Sequence, residues 1–156
     1  EFFTVMTDWV RTCGGFVDKF IGDAMLVVFG LFSPGDADGS TGAAAAVRCV
    51  RGARDRLQRL NERRAARGQG PLAIGMGVHT GEIVAGTIGA ADRHEFTVIG
   101  DAVNVAARLQ VHCRDVATDV LVSECTWQLA GEGPAATVET VSLRGRREAV
   151  RVVRLV

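Results

Sequence analysis

The 156-residue sequence has no apolar run approaching the length of a membrane span, and no signal peptide is expected. It also lacks net charge. Its 18 basic and 18 acidic side chains cancel, so the overall field advertises neither nucleic acid nor an anionic membrane as partner. Cys13, Cys49, Cys113 and Cys125 show no CxxC spacing, and no histidine lies near any two of them. That pattern argues against a zinc site and for a reducing, cytoplasmic setting, possible tethering of a parent protein to a membrane aside. Repeats and low-complexity segments are absent. No Gly-Lys-Ser/Thr follows a strand pattern, so a Walker-type phosphate loop is excluded. The expectation is one soluble domain, 47% hydrophobic and 23% charged, large enough to bury a substantial core. Any phosphate-handling site must be built from a few local groups.

The chain opens without methionine on a helical pattern already in progress, with Phe2, Val5, Met6, Trp9 and Val10 on one face. We therefore expect it to begin inside a larger protein. Gly14-Gly15 stops that helix. Phe16 to Ile21 and Ala24 to Phe29 read as a hairpin around Gly22-Asp23. After a loop from Gly30 to Ser40, a helix is predicted from Thr41 to Arg67, with Val47, Val50, Leu57 and Leu60 inward. Leu72 to His79 and Glu82 to Ile88 read as a second hairpin around Thr80-Gly81, and Phe96 to Ile99 as a strand. Asp101 is a candidate cap for a helix to about Cys113. A short strand at Val120 to Val122 precedes a helix capped by Ser123. Strands at about Thr137 to Leu143 and Ala149 to Leu155 flank the basic turn Arg144-Gly145-Arg146-Arg147. Helices covering a largely antiparallel sheet make an α+β domain.

Three segments carry chemistry. Asp23 stands at a hairpin tip, where a carboxylate can leave the sheet and meet a phosphate-bound metal; Gly-Asp is also simply a good turn pair. Asn104 and Arg108, four apart, project from one face of a predicted helix. An amide beside a guanidinium suits a ribose and a transferring phosphoryl group, although Asn and Arg are also ordinary solvent-facing residues. Small and apolar neighbours make this pair a polar island. The run Gly75-Met76-Gly77-Val78-His79-Thr80-Gly81-Glu82 suits close backbone approach, with His79 read as a packed, structural histidine.

Taken in order, these segments resemble the class III nucleotidyl cyclases. VDKFIGDAMLVVFG (Val17 to Gly30), IGMGVHTGEIVAGTIG (Ile74 to Gly89), FTVIGDAVNVAARL (Phe96 to Leu109) and LRGRREAVRVVRL (Leu143 to Leu155) together cover essentially the whole chain. The resemblance implies a ferredoxin-like α+β fold whose N-terminal strand is missing here. It further implies a homodimer that makes cyclic AMP from ATP with two Mg²⁺ or Mn²⁺ ions per site. Asp23 matches one of two metal-holding aspartates; the other belongs to the upstream strand. Lys19 matches the adenine-contacting position, where guanylyl cyclases typically carry Glu. Thr97 matches the second base-reading position, often Asp, and resembles a threonine-containing subgroup. Asn104 matches the ribose-positioning residue and Arg108 the one that stabilises the transition state. Arg146 or Arg144 stands where a lysine contacts the terminal phosphates, Arg146 being preferred, and Arg93 is a weaker phosphate candidate. In the family, metal site and base-reading residues come from opposite protomers. Regulatory domains are expected elsewhere in the parent chain. Competing readings are a guanylyl cyclase and a catalytically silent dimerisation or nucleotide-sensing domain; the Gly-Gly-Asp/Glu-Glu-Phe signature of cyclic-dinucleotide synthases is missing.

Overall fold

A computed structural model describes residues 1–156 except positions 34, 37, 91, 92, 136, 143–148 and 156. In chain order the elements are α1 (Phe2–Thr12), β1 (Phe16–Ile21), β2 (Ala24–Val28), α2 (Ser40–Ala65), β3 (Met76–Val78) and β4 (Val84–Ala90). There follow β5 (Arg93–Ile99), α3 (Asp101–Asp115), β6 (Val120–Ser123), α4 (Glu124–Leu129), β7 (Val138–Val141) and β8 (Val150–Leu155). No helix among the described residues is long and apolar enough to cross a membrane.

The described strands form a four-stranded sheet, β3-β6-β8-β7, and two separate hairpins, β1-β2 and β4-β5. Only the β3-β6 pairing is parallel. Alternation along the central strands divides the core in two. Leu121 and Val152 face α3 and meet Val105, Leu109 and Cys113. Val120, Val122 and Val153 face the other way, onto Val47 and Val50 of α2 and Trp127 of α4. Helices thus cover both faces of the sheet, and each fully buried Leu or Val contributes about 1.5–3 kcal/mol. Helix α1 docks on α2 through Met6, Val10, Ala53 and Leu57. Trp9 fixes that contact by donating Nε1–H to the Cys49 carbonyl (2.8 Å) beneath the Arg56 guanidinium, 3.3 Å from the ring centroid.

Two expectations are corrected. The expected hairpin around Thr80-Gly81 does not form: β3 is only three residues long and pairs with β6, while β4 pairs with β5 from Val84↔Ile99 to Ala90↔Arg93. The chain is pulled out of the sheet after Val78. His79 Nδ1 bonds Ser123 Oγ (2.9 Å), and the Thr126 hydroxyl donates to Thr80 Oγ1 (3.0 Å). The second concerns caps. Gly100, not Asp101, caps α3; Asp101 lies within the first turn, where a carboxylate favours the helix dipole. Ser123 occupies the cap position of α4 without a side-chain capping bond. At α2 the carboxylate of Asp36 accepts the Thr41 and Gly42 amides (2.9 and 2.8 Å).

Candidate active site

The β1-β2 loop has two residues, Gly22 and Asp23, between the paired Ile21 and Ala24. Gly22 has φ 62, as the first position of such a tight loop requires. Asp23 is thereby presented, exposed, at the tip. Its carboxylate has no protein partner among the described residues, and no group of three His, Cys, Asp or Glu there could hold a metal. This donor set fits a magnesium ion that arrives on phosphate oxygens and needs one or two carboxylates, not a protein cage.

Lys19 and Thr97, 78 positions apart in the chain numbering, are brought together where β1 meets β5. Thr97, 9% exposed, donates its hydroxyl proton to Asp18 Oδ2 at 2.9 Å. Lys19 Nζ lies 3.7 Å from the same oxygen and 3.1 Å from Glu95 Oε1. Around this cluster Phe16 and Phe96 pack edge to face, 6.0 Å between centroids. Asp18 and Glu95 were missed by sequence reasoning. The available signal was an acid, Asp18, beside Lys19 in a strand otherwise made of Phe16, Val17, Phe20 and Ile21.

Asn104 and Arg108 lie one turn apart on α3, Asn104 exposed and Arg108 half-buried, away from the buried Ala102, Val105, Leu109 and Cys113. Neither side chain is committed to a hydrogen bond or ion pair among the described residues. The helix is seated on β3 by Gly77. A Cβ there would run into the Ala106 carbonyl oxygen and the Gln110 nitrogen, and would come within 2.9 Å of Leu109 Cβ. Helix α3 packs on β3 and β6, whereas the Asp23 hairpin packs on α1 and β5, and no hydrogen bond or ion pair joins Asp23 to Asn104 or Arg108. Arg144 and Arg146 lie outside the described residues. Arg93 opens β5, and its side chain also lies outside them.

Between the chain after β3 and the start of α4, His79, Ser123, Cys125 and Thr126 form a polar cluster. Ser123 Oγ is 2.8 Å from Thr126 Oγ1 and 3.2 Å from Cys125 Sγ. The hydrogen bond from His79, 3.8 Å away, outweighs burial and draws the Cys125 thiol down to about 7, with Ser123 assisting. Burial drives the Cys113 thiol the opposite way.

The architecture defines a helix-covered sheet domain with polar side chains displayed on hairpins and one helix face. The sequence model of the adenylate and guanylate cyclase catalytic domain matches residues 3–153, and the chain belongs to that family. An uncharacterised protein of Mycobacterium tuberculosis is 39% identical over 97% of the chain, which spans 25% of that protein. The guanylyl cyclase Cya2 superposes with a TM-score of 0.84 at 30% identity, over 98% of this chain and 75% of that one. The adenylyl cyclase CyaB of P. aeruginosa gives 0.80 at 29%, over 99% and 78%. The chain spans about a quarter of the length of the first curated relatives it matches. Class III catalytic domains generally use divalent metal ions and commonly work as dimers on a nucleotide substrate.

Proposed function

We propose that the domain is an adenylyl cyclase that converts ATP to 3′,5′-cyclic AMP and pyrophosphate at sites shared by two copies of the chain. The observation that carries this reading is the convergence of Lys19 and Thr97 on one spot. A lysine ammonium only donates hydrogen bonds. Adenine N1 is an acceptor, whereas guanine N1 carries a hydrogen. An acidic residue in place of Lys19 would favour guanine instead.

In the reaction the ribose 3′-oxygen forms a bond to the α-phosphorus as the bond to the in-line pyrophosphate breaks, and the hydroxyl proton passes to solvent water. Asn104 holds the ribose so that this oxygen is aimed. Arg108 stabilises charge on the transferring phosphoryl group through its planar donor fork. Asp23 of the other copy would hold divalent metal, Mg²⁺ or Mn²⁺, two ions per site, which would supply positive charge to activate the 3′-hydroxyl and neutralise the triphosphate. Arg146, Arg144 and Arg93 are assigned to the terminal phosphates, Arg146 first among them. Support for the second copy comes from the apolar surface left exposed on the two hairpins, Phe20 52%, Ile21 58%, Val84 66% and Ile99 52%. Nucleic acid has no role, and regulatory domains belong to the rest of the parent protein.

A silent nucleotide-sensing domain is the second reading, favoured by the lack, among the described residues, of a group of three His, Cys, Asp or Glu that could hold a metal. Turnover decides. The full-length protein with Mn²⁺ is expected to make cyclic AMP and equimolar pyrophosphate from ATP, with specific activity falling on dilution. Faster cyclic GMP formation from GTP, or no cyclic nucleotide from either, overturns the assignment.

A further inference from the structure

We propose that Asp18 determines base specificity by fixing the Thr97 hydroxyl as a hydrogen-bond acceptor toward the nucleotide. The inference rests on the reading that Lys19 and Thr97 face a purine. A threonine hydroxyl has one proton and two lone pairs. Here that proton is given to Asp18 Oδ2 at 2.9 Å. The Asp18 side chain is 0% exposed, so no bulk water competes for the bond. The ammonium of Lys19, 3.7 Å from the same oxygen, suits an anionic acceptor there.

The backbone explains how this acid reaches Thr97. Val17 pairs with Val27 and Lys19 with Leu26, so Asp18 is the extra residue of a bulge in β1. In a regular strand neighbours 18 and 19 would point to opposite faces. A bulge re-aims a side chain, and here both residues serve one cluster. The arrangement does not serve stability: Asp18 Oδ1 is buried without a partner among the described residues, which costs folding free energy.

With its proton committed, Thr97 offers only lone pairs outward, next to a Lys19 that only donates. This acceptor-and-donor pair complements adenine, whose 6-amino group donates and whose N1 accepts. Guanine reverses both, with O6 accepting and N1 donating. A guanine nucleotide would leave polar groups facing like against like, the form of mismatch that discriminates most strongly.

The test uses 3′-deoxy-ATP and 3′-deoxy-GTP, which lack the attacking hydroxyl and therefore report binding without turnover. Dissociation constants are measured on the full-length protein as wild type, D18A, D18N, T97V, T97S and the D18A/T97V double variant. Wild type and T97S are expected to prefer the adenine analogue. D18A should lower that preference about tenfold, largely through tighter binding of the guanine analogue, because the released hydroxyl can then donate to O6. D18N, whose amide can donate to Thr97, should lower it as well. The double variant should lose no more than T97V, since Asp18 acts through Thr97. A wild-type preference in D18A, or in D18N if D18A does not fold, overturns the inference, as do additive effects of D18A and T97V. Failure of ATP turnover with these shifts intact would refute the cyclase reading alone. Turnover of ATP with an unchanged preference in D18A would refute this inference alone.

Discussion

Gly77→Ala tests whether the seating of α3 on β3 controls catalysis. The added methyl group would meet two backbone atoms of α3, Ala106 O and Gln110 N, and would stand 2.9 Å from Leu109 Cβ, where ordinary contact begins at 3.4 Å. The Leu109 contact alone requires about half an ångström of retreat, and backbone atoms cannot rotate aside. Overpacking of this kind costs about 1–3 kcal/mol. For a domain of this size that lowers Tm by about 2–12 °C. Asn104 and Arg108 ride on the displaced helix, and a misplacement near 1 Å can cost about 100-fold in rate. Lys19 and Thr97 stand on β1 and β5, off the displaced helix. We therefore expect kcat to fall much more than KM for ATP rises, at a temperature where the variant is folded. Calorimetry together with steady-state kinetics reads both quantities. An unchanged Tm, or a KM effect larger than the kcat effect, refutes the reasoning.

Other expectations follow from the same geometry. Lys19→Glu removes the donor for adenine N1 and supplies an acceptor for guanine N1–H; the ATP:GTP ratio of kcat/KM should fall by about tenfold or more, and an unchanged ratio counts against Lys19 as a base-reading residue. The thiol of Cys125, held down to about 7 by His79, should be alkylated by iodoacetamide before Cys113, whose thiol burial pushes up. Because the thiolate is the nucleophile, its rate should rise with pH through about 7 and then level off, and His79→Ala should move that rise upward; peptide mapping by mass spectrometry reads both. Asp36→Ala leaves the Thr41 and Gly42 amides of α2 without their acceptor and should cost about 1 kcal/mol in urea denaturation.

The parts of this fold governed by local rules are visible in the chain itself. The inward stripe of Val47, Val50, Leu57 and Leu60 marks α2, and the two-residue Gly22-Asp23 loop marks its hairpin, because helix period and turn geometry depend on near neighbours. The four-residue spacing that sets Asn104 and Arg108 on one face of α3 is equally local. What escaped depends on pairing between distant segments. The glycine-bearing run of residues 75–82 reads as suited to close backbone approach, but that α3 is what lies across Gly77 is visible only once the helix is docked. Likewise the bulge at Asp18 is a property of register with β2, and its bond to Thr97 joins residues 79 positions apart, so neither is visible in the local pattern.

The central claim is that each site draws its metal-holding acid from one subunit and its amide and guanidinium from another. Asp23→Ala and Arg108→Ala full-length chains should each be nearly inactive, since loss of a charge-stabilising donor alone costs about 100- to 1000-fold in kcat. Mixed and allowed to exchange subunits, they should recover about a quarter of wild-type activity, because random pairing leaves one intact site in half of the dimers. A mixture as silent as either parent, under conditions where subunit exchange is demonstrated, would contradict the account.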